Sequence, residues 1–382
     1  VVGGALLAEN AGAALEEIAL VRSTTEGINL VAEGYPWQPG DNVVTLDNEF
    51  PSNQYPWLNL ASRGVATRRV PTDNGMVDLQ RLDDACDERT RIVTLSWVGF
   101  ASGWRLDLDE VAALVHRRGA LLFVDAIQGL GVYPLDVRRT PIDFLAADGH
   151  KWLLGPEGAG LFYLRREHLA RLRPLGVGWH SVVHAADFSR IALELRTSAA
   201  RYEGGSQNMV GFLALAESLQ LLLDWGTAAI AEQVLAFADG ACRKLEAAGY
   251  PIASPRQGQH RSAIVSFDTP GRDVQAVLRG ALGPGRPVGK LSLKLANEAV
   301  PLLDLAHTPS APGGQLIHAD AQLNSRQFFH TYEHPEQGMV PYDGPATRYS
   351  ATPMYPRSHA PTLGEHTDEV MRDILGYSDR EI

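Results

Sequence analysis

The sequence predicts an α/β protein whose main part is a largely parallel sheet between helices. Three observations lead there: short aliphatic runs recur from about residue 17 to 163, amphipathic stretches separate them, and Gly, Asp or Pro bounds each run. With 382 residues, 45% hydrophobic and 21% charged, the chain can bury the core that such a fold needs.

In chain order, the buried strands are EIALVR (17–22), NVVTL (42–46), RIVTLSWV (91–98), ALLFVDA (120–126), DFLAAD (143–148) and GLFYL (160–164). Between the third and fourth, LDLDEVAALVHRRG puts Leu108, Val111, Ala112 and Val115 on one helical face and stops at Gly119. Residues 207–248 read as two long helices broken near Trp225 and Gly226, and SAIVSFD (262–268) resumes the strand pattern. Beyond about residue 280, breaker-rich GALGPGRPVG opens a stretch dense in Pro, Gly and His with little periodicity. The expected division is a large domain over 1–225, a partial small domain over 226–283 and an irregular segment over 284–382. The start at valine, without methionine, reads as a chain whose true beginning is missing.

A net charge of -11 and a pI near 5.6 argue against a general nucleic-acid or anionic-membrane surface. No apolar run reaches the ~18–20 residues of a membrane span and no cleavage signal opens the chain, so the expected location is cytoplasmic. Cys86 and Cys242 are far apart and each falls in a helical pattern, so no disulfide framework is readable.

Three local patterns carry chemistry. In Asp148-Gly149-His150-Lys151-Trp152, a lysine follows a buried strand, where partial desolvation lowers its pKa and makes it an amine nucleophile toward an aldehyde. An ordinary surface lysine is the bland alternative. ALLFVDAIQGLG delivers Asp125 at a strand's carboxyl end, with Gln128 three residues on; such an aspartate can hold a pyridinium nitrogen protonated, or can simply cap a helix. Ser23-Thr24-Thr25-Glu26-Gly27 places hydroxyls and free N–H groups at a helix start, suited to a phosphate, and its Ser23/Glu26 spacing also fits a capping box.

The order STTEGIN, EFPSNQYPW, VDAIQ, DGHKW with GPEG, and YEGGSQN resembles the class V aminotransferase family of pyridoxal-phosphate (PLP) enzymes of fold type I, over about residues 5–280. That family includes cysteine desulfurases and isopenicillin-N-epimerase-like proteins. The resemblance implies a fold type I large domain and an enzyme acting on an amino acid by transamination, elimination or epimerisation. It further implies that Lys151 binds the cofactor covalently, Asp125 pairs with the ring nitrogen and Gln128 contacts the ring hydroxyl. By the same resemblance Thr24, Thr25 and His150 are expected to hold the phosphate, and Phe50 to stack on the pyridine ring. Ser206 is expected on the same ground to reach the phosphate of a neighbouring subunit, which implies a homodimer.

Departures stand beside the matches. Asp148 occupies a position where many relatives have Ser, and a carboxylate near a phosphate is repulsive unless it points away or meets a cation. Phe100 replaces a common Asn. Neither Cys86 nor Cys242 sits in a loop that could face the cofactor, which argues against cysteine desulfuration. The strand that should bring a substrate-carboxylate arginine is not recognisable after about residue 285. Instead, residues 284–382 resemble the C-terminal end of class III (formyl-CoA type) CoA-transferases, on the terminal LGEHTDEV and LGYS. The tail's histidines, such as His330 and His334, lack a metal-ligand spacing. The alternative reading is a non-catalytic or chimeric chain that binds PLP weakly or not at all.

Overall fold

The computed structural model describes residues 2–268, 270–271, 293–294, 329–334 and 338–343. Contacts divide the chain into two units, residues 1–278 with 290–303, and residues 279–289 with 304–382.

The first unit is built on seven strands: β1 (Ile18–Val21), β2 (Asn42–Leu46), β3 (Ala66–Val70), β4 (Thr90–Ser96), β5 (Leu121–Asp125), β6 (Phe144–Asp148) and β7 (Gly160–Leu164). Their order across the sheet is β1-β7-β6-β5-β4-β2-β3. The pairs β6/β5, β5/β4, β4/β2 and β2/β3 are parallel, and β7 runs against both neighbours. Because β1 opposes β7 and β7 opposes β6, β1 points the same way as the parallel strands. The carboxyl ends of β1, β2, β4, β5 and β6 therefore share one edge, where open α/β sheets bind ligands.

Side-chain alternation splits the core into two layers. Val44, Val93, Leu95, Leu122, Val124, Leu145 and Leu161 pack on one face with Leu108, Val111, Ala112 and Val115 of α5 (Leu108–Arg117). Val43, Ile92, Phe123, Phe144, Ala146 and Phe162 pack on the other with Ile28, Leu30 and Val31 of α2 (Thr24–Gly34). A Cβ on Gly27 would lie 2.6 Å from the Ala146 Cβ, so glycine there lets α2 lie directly on β6. Ser23 caps α2 by accepting from the Glu26 N–H at 3.1 Å, and the Glu26 carboxylate accepts from the Arg22 N–H at 2.7 Å. The expected box thus forms with its return bond one residue earlier than the standard pattern.

All six strands expected from the sequence are present. The strand the pattern did not reveal is β3, an edge strand whose residues 66–69 are not buried. Arg68 on it reaches Asp87 and the Ala85 carbonyl, and charge on an edge strand blocks further pairing. Helices α6 (Met209–Trp225) and α7 (Thr227–Ala247) break at Gly226, with an 84° bend. Among the described residues no single helix is long and apolar enough to cross a membrane.

The strand expected over 262–268 is shorter than its pattern. Its ladder is β8 (Ile264–Val265), antiparallel with β9 (Leu293–Lys294), and Phe267 adds an isolated antiparallel bridge to Ile252. The Ser262 hydroxyl accepts from the Ile264 N–H and that of Ser254 from the Ser266 N–H, so side chains take two of the donors that a regular ladder would use.

In the second unit the described residues form an antiparallel hairpin of β10 (Phe329–His334) and β11 (Gly338–Asp343). Apart from β9 and this hairpin, the tail read as CoA-transferase-like lies outside the described residues.

Candidate active site

The shared carboxyl edge of the sheet gathers most of the residues singled out by the sequence. Asp125 ends β5 and is 3% exposed; its Oδ1 accepts the Ile127 N–H at 3.1 Å. Burial pushes its carboxyl up to about 6, against the lowering effects of that N–H and of the Lys151 charge. Lys151 follows β6, and its Nζ lies 5.7 Å from the centre of the Phe50 ring. Amine, carboxylate and aromatic ring thus converge from the ends of β6, β5 and β2.

Phe50 is 43% exposed, which separates it from the core, and its ring meets Phe100 edge-on at 5.3 Å. Phe100, noted above as a departure, therefore packs against the Phe50 ring. Gln128 is buried, and its Oε1 has no hydrogen-bond partner among the described residues. A buried acceptor without a donor is costly, so it calls for a ligand group or water at that point.

The turn from β6 to Lys151 is tight. A Cβ on Gly149 would fall 2.4 Å from the Ala159 carbonyl oxygen, so only glycine fits the bend. The Asp148 N–H donates to Thr24 Oγ1 at 3.0 Å, joining this turn to the start of α2. Thr25 is exposed there and donates to Ser52 Oγ at 2.8 Å. The Asp148 carboxyl is engaged: Oδ1 accepts the Gly149 N–H at 2.7 Å, and Oδ2 lies 3.0 Å from His150 Nδ1. The Asp148 carboxylate, noted above as a departure, therefore meets the His150 imidazole beside the start of α2. Ser206 lies exposed in the loop before α6, apart from these contacts.

Sequence reasoning missed three members of this edge. Ser52 supports Thr25. Glu49, 7% exposed, accepts the Ser96 N–H at 2.7 Å, and its other oxygen makes a very short contact with Ser96 Oγ. Burial, and then the charge of Asp125, push the Glu49 carboxyl up to about 7, against hydrogen bonds from Ser96 and Asn53. The available signal was a carboxylate three residues beyond a fully buried strand and immediately before Phe50.

Strand order and a lysine–aspartate–aromatic edge at the carboxyl ends together define an α/β protein of the PLP-dependent fold type I class. The chain belongs to the class-V aminotransferase family, whose model matches residues 5–280. Pyridoxal phosphate is the cofactor of that family. The residues present fit it: a buried carboxylate for a ring nitrogen, the orphaned Gln128 oxygen, a half-exposed aromatic face, and a capped helix start for a phosphate.

A probable cysteine desulfurase of Methanothermobacter thermautotrophicus is 39% identical over 55% of this chain and 52% of its own length. One from Chlamydia muridarum is 33% identical over 78% of this chain and 74% of its own. The chain spans about half the length of the Methanothermobacter relative and of a Dickeya dadantii cysteine desulfurase. Among solved structures, the apo cysteine desulfurase of Thermococcus onnurineus superposes with a TM-score of 0.67 at 28% identity, covering 72% of this chain and 69% of that one. The cystine C–S lyase C-DES, in complex with its product cysteine persulfide, gives 0.68 at 25%, covering 74% and 76%.

Proposed function

We propose that this chain is a PLP-dependent enzyme acting at the α-carbon of an amino acid, with Lys151 as the residue that carries the cofactor. The convergence of Lys151, Asp125 and Phe50 carries the reading. When bound, PLP withdraws electrons from the substrate's α-carbon so that a bond there can break. Around it, Asp125 supplies negative charge at the ring nitrogen, and Gln128 accepts from the ring hydroxyl. Thr24, Thr25 and His150 orient the phosphate. Phe50 covers one ring face and keeps water from the amine, while Lys151 Nζ takes and returns the proton at the α-carbon.

Elimination at a carbon–sulfur bond leads transamination and epimerisation as the reaction, because the relatives are named cysteine desulfurases and a cystine C–S lyase. Those names weigh against the sequence argument that set desulfuration aside. The cysteines themselves do not serve as sulfur acceptors on this reading. Cys86 Sγ donates to the Leu82 carbonyl, and burial pushes that thiol up to about 11; burial also raises Cys242, within α7. An acceptor needs an accessible thiolate. Sulfur would therefore leave in the product or pass to a thiol outside this chain.

Purified full-length protein with added PLP should be yellow, and Lys151→Ala should lose the colour together with sulfur release from L-cysteine or L-cystine. Turnover of other amino acids without sulfur release would overturn the carbon–sulfur assignment. Protein that takes up no PLP would favour the non-catalytic reading. Ser206 reaching the phosphate of a second subunit, and CoA-ester binding by the tail, are further proposals, the latter checked by calorimetry.

A further inference from the structure

We propose that Glu49 is a positioning residue for the cofactor ring: through Ser96 it fixes the Asp125 carboxyl, and through its own backbone it fixes Phe50. The inference rests on the PLP reading above and extends it to a residue that does not touch the ring.

Three connections support it. Glu49 takes both the N–H and the hydroxyl of Ser96, so one carboxyl holds the last residue of β4 at two points. Ser96 is the register partner of Asp125 across the β4/β5 pair, and the next N–H, from Trp97, donates to the Asp125 carbonyl at 2.9 Å. Glu49 also directly precedes Phe50, so the same anchor sets where that ring emerges. The turn is pinned from below by Asn53, whose Oδ1 accepts from Thr94 Oγ1 at 2.7 Å and from Trp57 Nε1 at 3.0 Å.

The protonation state follows from what faces Glu49. Asp125 on β5 is the charged group acting on it; Ser96 on β4 and Asn53 in the turn supply neutral dipoles, and Lys151 acts on Asp125. Burial raises both carboxyls, and the Asp125 charge further favours the protonated form of Glu49. A protonated Glu49 donates to Ser96 Oγ and accepts the Ser96 N–H. Glutamine can copy that pattern; alanine cannot.

The experiment measures PLP affinity and the absorbance of bound PLP against pH for the full chain and for Glu49→Ala, Glu49→Gln and Ser96→Ala. Glu49→Ala is expected to weaken PLP binding on the order of tenfold, and Glu49→Gln to recover most of that loss. The wild type is expected to show a pH-dependent step in the absorbance of bound PLP that Glu49→Gln lacks. Glu49→Ala and Ser96→Ala should be non-additive in the double variant, because they break one contact.

Glu49→Ala binding within twofold of wild type, equal damage from Ala and Gln, or strict additivity would each overturn the proposal. If Glu49→Ala does not fold, Ser96→Ala decides: unchanged affinity overturns it, and a several-fold loss supports it. A wild type that takes up no PLP overturns this inference and the functional reading together, whereas a yellow wild type with indifferent variants overturns this inference alone.

Discussion

At the scale of single residues, the site is built from groups held away from their preferred state. Asp125 is the clearest case: its carboxyl titrates at about 6 in the fold, where an unburied aspartate would titrate near 3.8. A carboxyl raised on folding stabilises the protein fully below the unfolded value and loses that contribution as pH climbs to the folded one. Cofactor-free protein should therefore lose on the order of 2–3 kcal/mol from this residue between about pH 4 and 6. Asp125→Asn should be the more stable cofactor-free protein at pH 8, with the gap closing below pH 4, while PLP affinity falls. Urea denaturation across that range checks it, and a gap that widens on acidification would contradict it. Lys151 and Asp125 were legible because a reactive residue after an aliphatic run is a local pattern. Glu49 was not, since its burial depends on β4 lying beside β2 although α4 (Leu79–Ala85) and β3 intervene in the chain.

At the scale of elements, α2 and β6 form the unit that delivers the phosphate-type turn and the lysine. Gly27 sets their separation. Replacing a helical glycine by alanine ordinarily gains up to about 1 kcal/mol. Here the new methyl would meet Ala146 at 2.6 Å, a contact that neither a helix nor a central strand can relieve cheaply. Overpacking of this kind costs roughly 1–3 kcal/mol, so Gly27→Ala should be destabilising on balance and should weaken PLP binding through the displaced helix start. A thermal melt with and without PLP measures both. The strands of this region were readable because all five positions of β2, β6 and β7 are buried. The same logic concealed β3, whose adjacent arginines read as loop until its neighbour is known.

At the scale of the whole molecule, the apolar surface outside the sheet bears on assembly. Phe188, Ile191 and Leu193 are 74%, 95% and 78% exposed, along one stretch of chain leading to the loop that holds Ser206. Our proposal of a homodimer predicts that Ile191→Asp with Leu193→Lys shifts the protein toward monomer in sedimentation and lowers PLP affinity; unchanged mass and affinity would refute it. None of this was readable from periodicity, because residues 182–198 form no helix and no ladder strand. The reversed strand β7 also bears on how the molecule is made. It stands between β1 and β6, with Gly160 opposite both Val21 and Asp148. The bond from Asp148 to Thr24 spans 124 positions along the chain and crosses that strand. During synthesis β1 must therefore wait for residue 164 to leave the ribosome before it joins the sheet. A nascent chain halted earlier would hold its future anion turn beside its future lysine through the packing of α2 on β6 alone, with β1 still without its ladder.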